Sequence, residues 1–317
     1  MLETAIPEAR QTFEVFRKET LIRGQPYDLE CVQIGGQTYS LTRGPVTTIS
    51  LEEEWYEDVI DPESIIDALK GNSDFIPDIF TFWRRFPALG PKYDYYNEFE
   101  SLAVLEIRDF DYWWKKQVKG TTRNMIRKSQ KAGVEVRECS YDDDFVRGMS
   151  EIFNETRVRQ GRQFWHYGKD LETIKCQFSK YLFREDLIGA YCSSELVGFV
   201  MLANAGSYGI LGQFISKVRL RDKAINNALI AETVRMCVKR GLPYLVYGHW
   251  DANSLVDFKR HSGFVEKKVP RYYVPLTGKG KLALKLGLHR GWKSALPSQL
   301  KIPLKKIRAL WHELRKS

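Results

Sequence analysis

Cysteine is scarce and scattered in this chain. Five thiols (Cys31, Cys139, Cys176, Cys192 and Cys237) stand among 317 residues, odd in number and never at CxxC spacing. That argues against a zinc site and against a secreted disulfide framework, and for a reducing compartment. No apolar run approaches the roughly 20 residues that a membrane-spanning helix needs. Met1 opens onto LETAIPEARQ, with neither a basic start nor an apolar stretch, so no signal peptide is expected. Gly-x-Ser-x-Gly elbows, clustered metal ligands, internal repeats and low-complexity runs are missing too, which leaves serine-hydrolase and metal-centred chemistry without support. A cytoplasmic globular protein is the expectation, long enough for a sizeable core in one large or two smaller domains.

Acidic residues are nearly absent from the C-terminal stretch. The formal net charge is +9, but residues 278–317 carry eleven Lys or Arg against one acid, Glu313. The rest of the chain is close to neutral, so a partner drawn by charge is a partner of the tail. Within the tail, Pro303 can open a helix on which Leu304, Ile307, Trp311 and Leu314 form one apolar stripe among Lys305, Lys306 and Arg308. Three readings stay open for residues 301–316: a peripheral contact with the inner membrane face, a helix folded back on its own domain, or a contact with the phosphates of tRNA. DNA is not an expected partner.

The body reads as alternating elements. Residues 29–34 and 38–50 look like strands around a Gly35-Gly36 turn, and Asp61-Pro62 can cap a helix through Leu69. Residues 75–96 are unusually aromatic, as expected of a packed interface between this region and the rest. From residue 101 the expected order is clearer. A strand (101–107) leads to a helix (110–132) stopped by Gly133. A strand (134–139) follows, then a helix beginning at a Ser140/Asp143 capping box and running to about Arg159. After a loop comes a helix over 169–184, then strands over 187–192, 196–203 and 208–216. A helix (222–240), a strand (244–250), a short helix capped by Asn253 or Ser254 and stopped by Gly263, and a last strand (264–276) complete the body. The class is α+β: a mixed sheet flanked by helices, with residues 1–100, 101–276 and 277–317 as three regions.

Four segments carry a family likeness: TRNMIRKSQKAGVEVR (122–137), ETRVRQGRQF (155–164), LIGAYCSSELVGFVML (187–202), and FKRHSGF with PRYYVPL (258–264, 270–276). Their order and spacing resemble the acyl-CoA N-acyltransferase (GNAT) fold, in particular the branch of Fem-type peptidyltransferases and their single-module relatives. The resemblance implies transfer of an acyl group, from acyl-CoA or from aminoacyl-tRNA, to an amine, with no metal. Acceptors in that branch are often lipid- or sugar-linked cell-envelope precursors. It also implies that residues 1–100 could be a degenerate first copy of the same fold. One departure stands out. Where ordinary members place a glycine-rich turn whose N–H groups cradle the coenzyme A pyrophosphate, this chain reads Arg221-Asp222-Lys223-Ala224-Ile225-Asn226.

Acyl transfer to an amine needs aligned reactants, a route for the amine proton and a donor to the developing oxyanion. Lys259 matches the FK lysine of the Fem branch, which the resemblance assigns to negative charge at the transfer site. His249, just past a strand end, and Tyr247 are the candidates for handling the proton. Arg219, Arg221, Lys223, Ala224, Asn226 and Asn227 are expected to face the donor. Arg159, Arg162, Trp165, His166 and Tyr167, in a loop richer than a connector needs, are expected on the acceptor side. Arg123 and Arg127, same-sign neighbours at i, i+4, join them as anion-binding candidates. The rival expectation is a non-catalytic binding module that keeps the fold and has lost the cofactor turn.

Overall fold

The computed structural model describes residues 13–22, 25–72, 75–159, 161–250 and 255–290. Twelve strands join in one sheet. The N-terminal part supplies β1 (Phe16–Ile22), β2 (Gln25–Ile34), β3 (Gln37–Thr42), β4 (Thr48–Leu51) and β5 (Ile79–Trp83), with α1 (Pro62–Gly71) between the last two. The run expected as one strand over 38–50 is therefore two, folded on each other in antiparallel register from Tyr39↔Leu51 to Thr42↔Thr48. Asp61 caps α1 as expected, accepting from the N–H groups of Glu63 and Ser64.

The remainder runs β6 (Asn97–Glu106), α2 (Phe110–Tyr112), α3 (Gly120–Lys131), β7 (Glu135–Cys139), α4 (Asp143–Asn154), the small hairpin β8 (Val158–Arg159) and β9 (Arg162–Gln163), and α5 (Leu171–Ser179). It continues β10 (Glu185–Cys192), β11 (Glu195–Asn204), β12 (Gly209–Ser216), α6 (Ile225–Lys239), β13 (Tyr244–His249), α7 (Val256–His261), β14 (Val265–Pro275) and α8 (Gly278–Lys285). The expected helix over 110–132 is broken by a wide turn at Trp113–Gln117, whose Trp113 indole donates to the Ser262 carbonyl at 2.9 Å in the core. The cap of α4 is Asp142 rather than Ser140, and α5, expected from 169, starts after the cap Asp170; each aspartate accepts from the N–H three residues on. The Asn253 or Ser254 cap expected for α7 lies outside the described residues, as does the stretch 301–316.

The strand order is β1-β2-β3-β4-β5-β14-β6-β13-β12-β11-β10-β7. Neighbours are antiparallel except for β4 with β5 and β12 with β13. The N-terminal strands are thus continuous with the rest through β14, which pairs with β5 on one side and β6 on the other. On one face, α3 and α6 cover Ile188, Ala190, Val200, Leu202 and Leu245. On the other, α4 and α5 cover Leu187, Phe199 and Met201. The aromatic stretch 75–96 packs where the two parts meet. Trp83 and Phe86 share a core with Leu102, Tyr208 and Val246, while Phe80 and Phe82 stack toward Tyr272. Buried Arg85 pins this junction by donating to the carbonyls of Tyr56 (2.6 Å) and Ala205 (2.7 Å).

Candidate active site

The sheet opens at one place. Parallel strands β12 and β13 pair only at Gly209↔Leu245 and Ile210↔Val246, although β12 runs on to Ser216 and β13 to His249. Beyond that point β13 follows β6, and there it bulges: Val246 faces Val104 and His249 faces Leu102, so one strand uses three residues where the other uses two. Gly248 takes the left-handed backbone (φ +58°) that the extra residue requires. Val104 and Leu102 lie two apart and share a face, so Val246 and His249 share it too, and Tyr247 turns to the opposite one. Tyr247 packs on Phe214 and Phe264, at ring distances of 5.4 and 5.8 Å, on the α6 face. His249 sits on the α4 face, edge-on to Trp55 (5.6 Å) and Trp83 (6.1 Å), with Nδ1 4.0 Å from Glu100 Oε2.

Lys259 closes the end of the split. It is the fourth residue of α7 and only 4% exposed. Its Nζ donates to the His249 carbonyl at 2.7 Å and lies 4.8 Å from the centre of the Tyr247 ring. Burial pushes the Tyr247 phenol well above its ordinary range, so at neutral pH it is protonated and cannot act as a base.

The turn from β12 into α6 lies at the same end of the sheet. Ala224 precedes the first residue of α6 in left-handed conformation (φ 53°, ψ 37°), a geometry that costs an L-residue about 1–2 kcal/mol. The alanine therefore keeps the backbone shape that a glycine-rich turn would have. The first N–H groups of α6, those of Ile225 and Asn226, have no carbonyl partner inside the helix. The amide oxygen of Asn226 is buried and unpartnered, and Asn227 donates its backbone N–H to the Ala224 carbonyl at 2.9 Å. The basic residues divide. Arg219 is paired with Glu195, and Lys223 reaches the Ala132 carbonyl and Cys192 Sγ, both at 3.3 Å. Arg221 is exposed and close enough to Arg159 to depress its pKa.

No family model matches the chain, and no curated protein matches it. Solved structures do. The C-terminal domain of a putative lysylphosphatidylglycerol synthetase from Agrobacterium fabrum superposes with a TM-score of 0.53 at 12% identity, over 81% of this chain and 87% of that one. The L-PGS structure from Bacillus licheniformis gives 0.51 at 14% identity, over 77% and 83%. A FemX crystal structure gives 0.49 at 11% identity, over 87% and 90%. The order β7-α4-α5-β10-β11-β12-α6-β13, with a parallel pair splitting ahead of the α6 turn, decides the architecture. The fold is the GNAT fold. In this chain β6 lies between β13 and the last strand, β14.

Within the GNAT frame, the 159–167 loop divides by direction. Arg159 turns inward, donating to the carbonyls of Ile152 (2.7 Å) and Ser216 (2.9 Å), and so ties the end of α4 to the end of β12. Arg162 belongs to β9, opposite Arg159 in the hairpin. His166 is buried, stacked on Phe153 at 4.3 Å and near parallel. Burial, helped by Lys169 and Arg159, pulls its pKa down to about 3, so it is neutral and part of the core. Trp165 and Tyr167 remain exposed, with Lys169 over the Trp165 ring at 4.5 Å. On α3, Arg123 donates to the carbonyls of Trp114 and Val118, while Arg127 lies exposed beside Trp114. The structure thus brings Tyr247, Lys259 and the His249 carbonyl together. It gathers Arg159, Arg221 and Ala224 at the adjoining turn, and sets His166 and Arg123 into structural roles.

Two groups near the site carried no assignment in the sequence reading. Arg271, in the PRYYVPL segment, is held by Glu54 (2.8 and 3.0 Å) and Glu100 (2.5 Å) and lies over Trp83 at 4.7 Å. This links the N-terminal part to the surroundings of His249. Glu155 accepts the backbone N–H groups of Val218 and Arg219, fixing the start of the turn. Its signal was the ETRVRQGRQF segment itself, which reads as a helix end without revealing what the carboxylate holds.

Proposed function

We propose that this protein transfers an acyl or aminoacyl group from an activated donor to a primary amine. One observation carries the reading: a buried lysine ammonium is fixed at the mouth of a split between parallel strands, over a tyrosine kept protonated by its burial. A carbonyl lying in the split would develop negative charge within reach of Lys259, which stabilises it without reorganisation. Tyr247 supplies the proton that the departing thiolate or alkoxide needs. The N–H groups of Ile225 and Asn226, with Arg221, are the groups suited to donor phosphates, on the positive end of the α6 dipole. Arg219 and Lys223 are engaged elsewhere and contribute field rather than contact.

The donor is acyl-CoA or aminoacyl-tRNA. Two solved structures with TM-scores above 0.5, one titled a putative lysylphosphatidylglycerol synthetase domain and the other L-PGS, favour an aminoacyl donor and a lipid-linked acceptor here. A sugar-linked envelope precursor has the same requirements. Residues 101–276 would form the transferase proper, residues 1–100 its flank, and residues 301–316 a contact with the membrane surface. Thermal-shift titration tests the reading, using acetyl-CoA, longer acyl-CoAs, desulfo-CoA and a non-hydrolysable aminoacyl-tRNA analogue. A true donor at a hundred times its Kd adds about 2.7 kcal/mol. Stabilisation by none of them would refute the transferase and leave a GNAT-fold binding module.

A further inference from the structure

At neutral pH a primary amine is an ammonium ion and must lose a proton before it attacks. Lys259 and Tyr247 cannot take that proton, because both act as donors. The α4 face of the sheet holds a group that can. Glu185 begins β10 and pairs with Ala203 of β11, whose side chain belongs to the same core as Trp83, Ile210 and Val246. The carboxyl reaches past Ala203 to β12, where Oε1 lies 3.6 Å from the place a Cβ would occupy on Gly212. Gly212 is exposed and stands two residues beyond Ile210, the last residue of β12 in register with β13. The bare backbone of Gly212 therefore leaves open the space in front of the carboxyl, at the point where the strands part.

The neighbouring acids are committed. Glu53 accepts from the Tyr181 hydroxyl at 2.7 Å, and Glu54 and Glu100 hold Arg271. The Glu185 carboxyl has no hydrogen bond or ion pair among the described residues. The titratable and charged groups around it are Arg184, Tyr56 and Tyr141. The Arg184 guanidinium is spread over the rings of Tyr56 (4.4 Å) and Phe183 (4.5 Å). Burial, opposed by Arg184, raises the Glu185 carboxyl to about 7. The Tyr141 hydroxyl is spent on the carbonyls of Ile174 and Lys175.

We propose that Glu185 is the proton acceptor for the acceptor amine, which reaches the split from the α4 face across Gly212 while the donor carbonyl is held from the α6 face. This rests on the transfer reading above. In the step, the ammonium gives one proton to the Glu185 carboxylate, which passes it to water at the exposed Gly212. The freed amine forms the C–N bond, and the C–S or C–O bond to the donor breaks. As the tetrahedral species collapses, Tyr247 gives its proton to the leaving thiolate or alkoxide, and the second nitrogen proton is relayed back to Tyr247, so the phenol is restored.

The test uses the full chain, whichever donor stabilises the wild type, and n-butylamine as the acceptor probe. Expected for wild type is transfer to butylamine with an acid limb near pH 7. Glu185→Gln should lower kcat at least 100-fold and remove that limb, while the donor-induced thermal shift stays within twofold. Gly212→Val, which fills the space before the carboxyl while leaving Glu185 in place, should raise the KM for butylamine at least tenfold. Unchanged kinetics in either variant overturns the proposal, as does a wild type that binds donor but never acylates butylamine. Failure of the wild type to bind any donor overturns the transfer reading instead.

Discussion

Replacing Lys259 by methionine separates its two roles. Methionine keeps most of the buried aliphatic stem and deletes the ammonium. The structural loss is the bond to the His249 carbonyl at 2.7 Å, a charge-assisted bond in a site 4% exposed. Such bonds contribute about 1.5–3 kcal/mol, and an unsatisfied buried carbonyl costs about 1–3 kcal/mol. Relief of the ammonium's own desolvation offsets part of this. The expected net is about 2 kcal/mol of lost stability, read as a lower urea midpoint at unchanged slope. The catalytic loss is separate: removal of an oxyanion donor typically costs about 100- to 1000-fold in kcat. Single-turnover transfer by folded Lys259→Met, measured well below the urea midpoint, checks it. A variant that loses stability as expected and still transfers at the wild-type rate would show that Lys259 is only a strut for the strand end. A variant with full stability and lost turnover would remove the structural half.

Three further outcomes follow from the same contacts. His166, held neutral with a pKa of about 3, binds fewer protons folded than unfolded between roughly pH 3 and 6.5. Stability should therefore rise with pH across that window, by at most about 1.4 kcal/mol per unit from this group, and His166→Phe should flatten the slope of urea midpoint against pH. Ala224→Gly removes a left-handed strain of about 1–2 kcal/mol and adds about 0.5–1 kcal/mol of chain entropy. Calorimetry should show an unchanged or slightly higher Tm, and a clear drop would contradict the strained turn. Arg271→Met strands Glu54 and Glu100 together, so a loss of about 3–5 kcal/mol is expected in denaturant unfolding. Because that triad joins β14 to both parts of the sheet, the loss should appear in one shared transition and not in the N-terminal part alone.

The C-terminal elements were legible because period and punctuation agree. Gly241 and Pro243 stop one helix, Gly263 stops another, and the meander strands from 187 to 216 are continuous apolar runs, as expected where both faces are covered. The N-terminal strands were less legible. β1, FRKETLI, is an edge strand with three consecutive charged residues and no alternation, and β5 is five residues inside an aromatic cluster. Pairing distant in sequence, such as Arg271↔Trp83, leaves no periodic trace at all. Among the proposed site residues, Lys259 stands out in the sequence through a motif and Tyr247 through a strand end. The proposed base Glu185 leaves no such signal: the sequence reads as a strand from Leu187, whereas β10 starts two residues earlier, at Glu185.

The face on which a side chain lies decides more of this site than its place in the sequence. His249 and Tyr247 are two residues apart, and a regular strand would have set both on one side as interchangeable proton carriers. Gly248 prevents this by absorbing one extra residue in left-handed conformation. A Cβ there would meet nothing within 4 Å, so the requirement for glycine is one of backbone angle and not of space. Tyr247 is thereby committed to the α6 face with Lys259 and Phe214, and His249 to the α4 face with Trp55, Trp83 and Glu100. The same division assigns the chemistry. On the proposed transfer reading, the groups that would stabilise or protonate a departing donor stand on one side of the sheet, and Glu185, proposed to accept a proton from an incoming amine, stands on the other. The opening between β12 and β13 is where the proposal has the two sets meet.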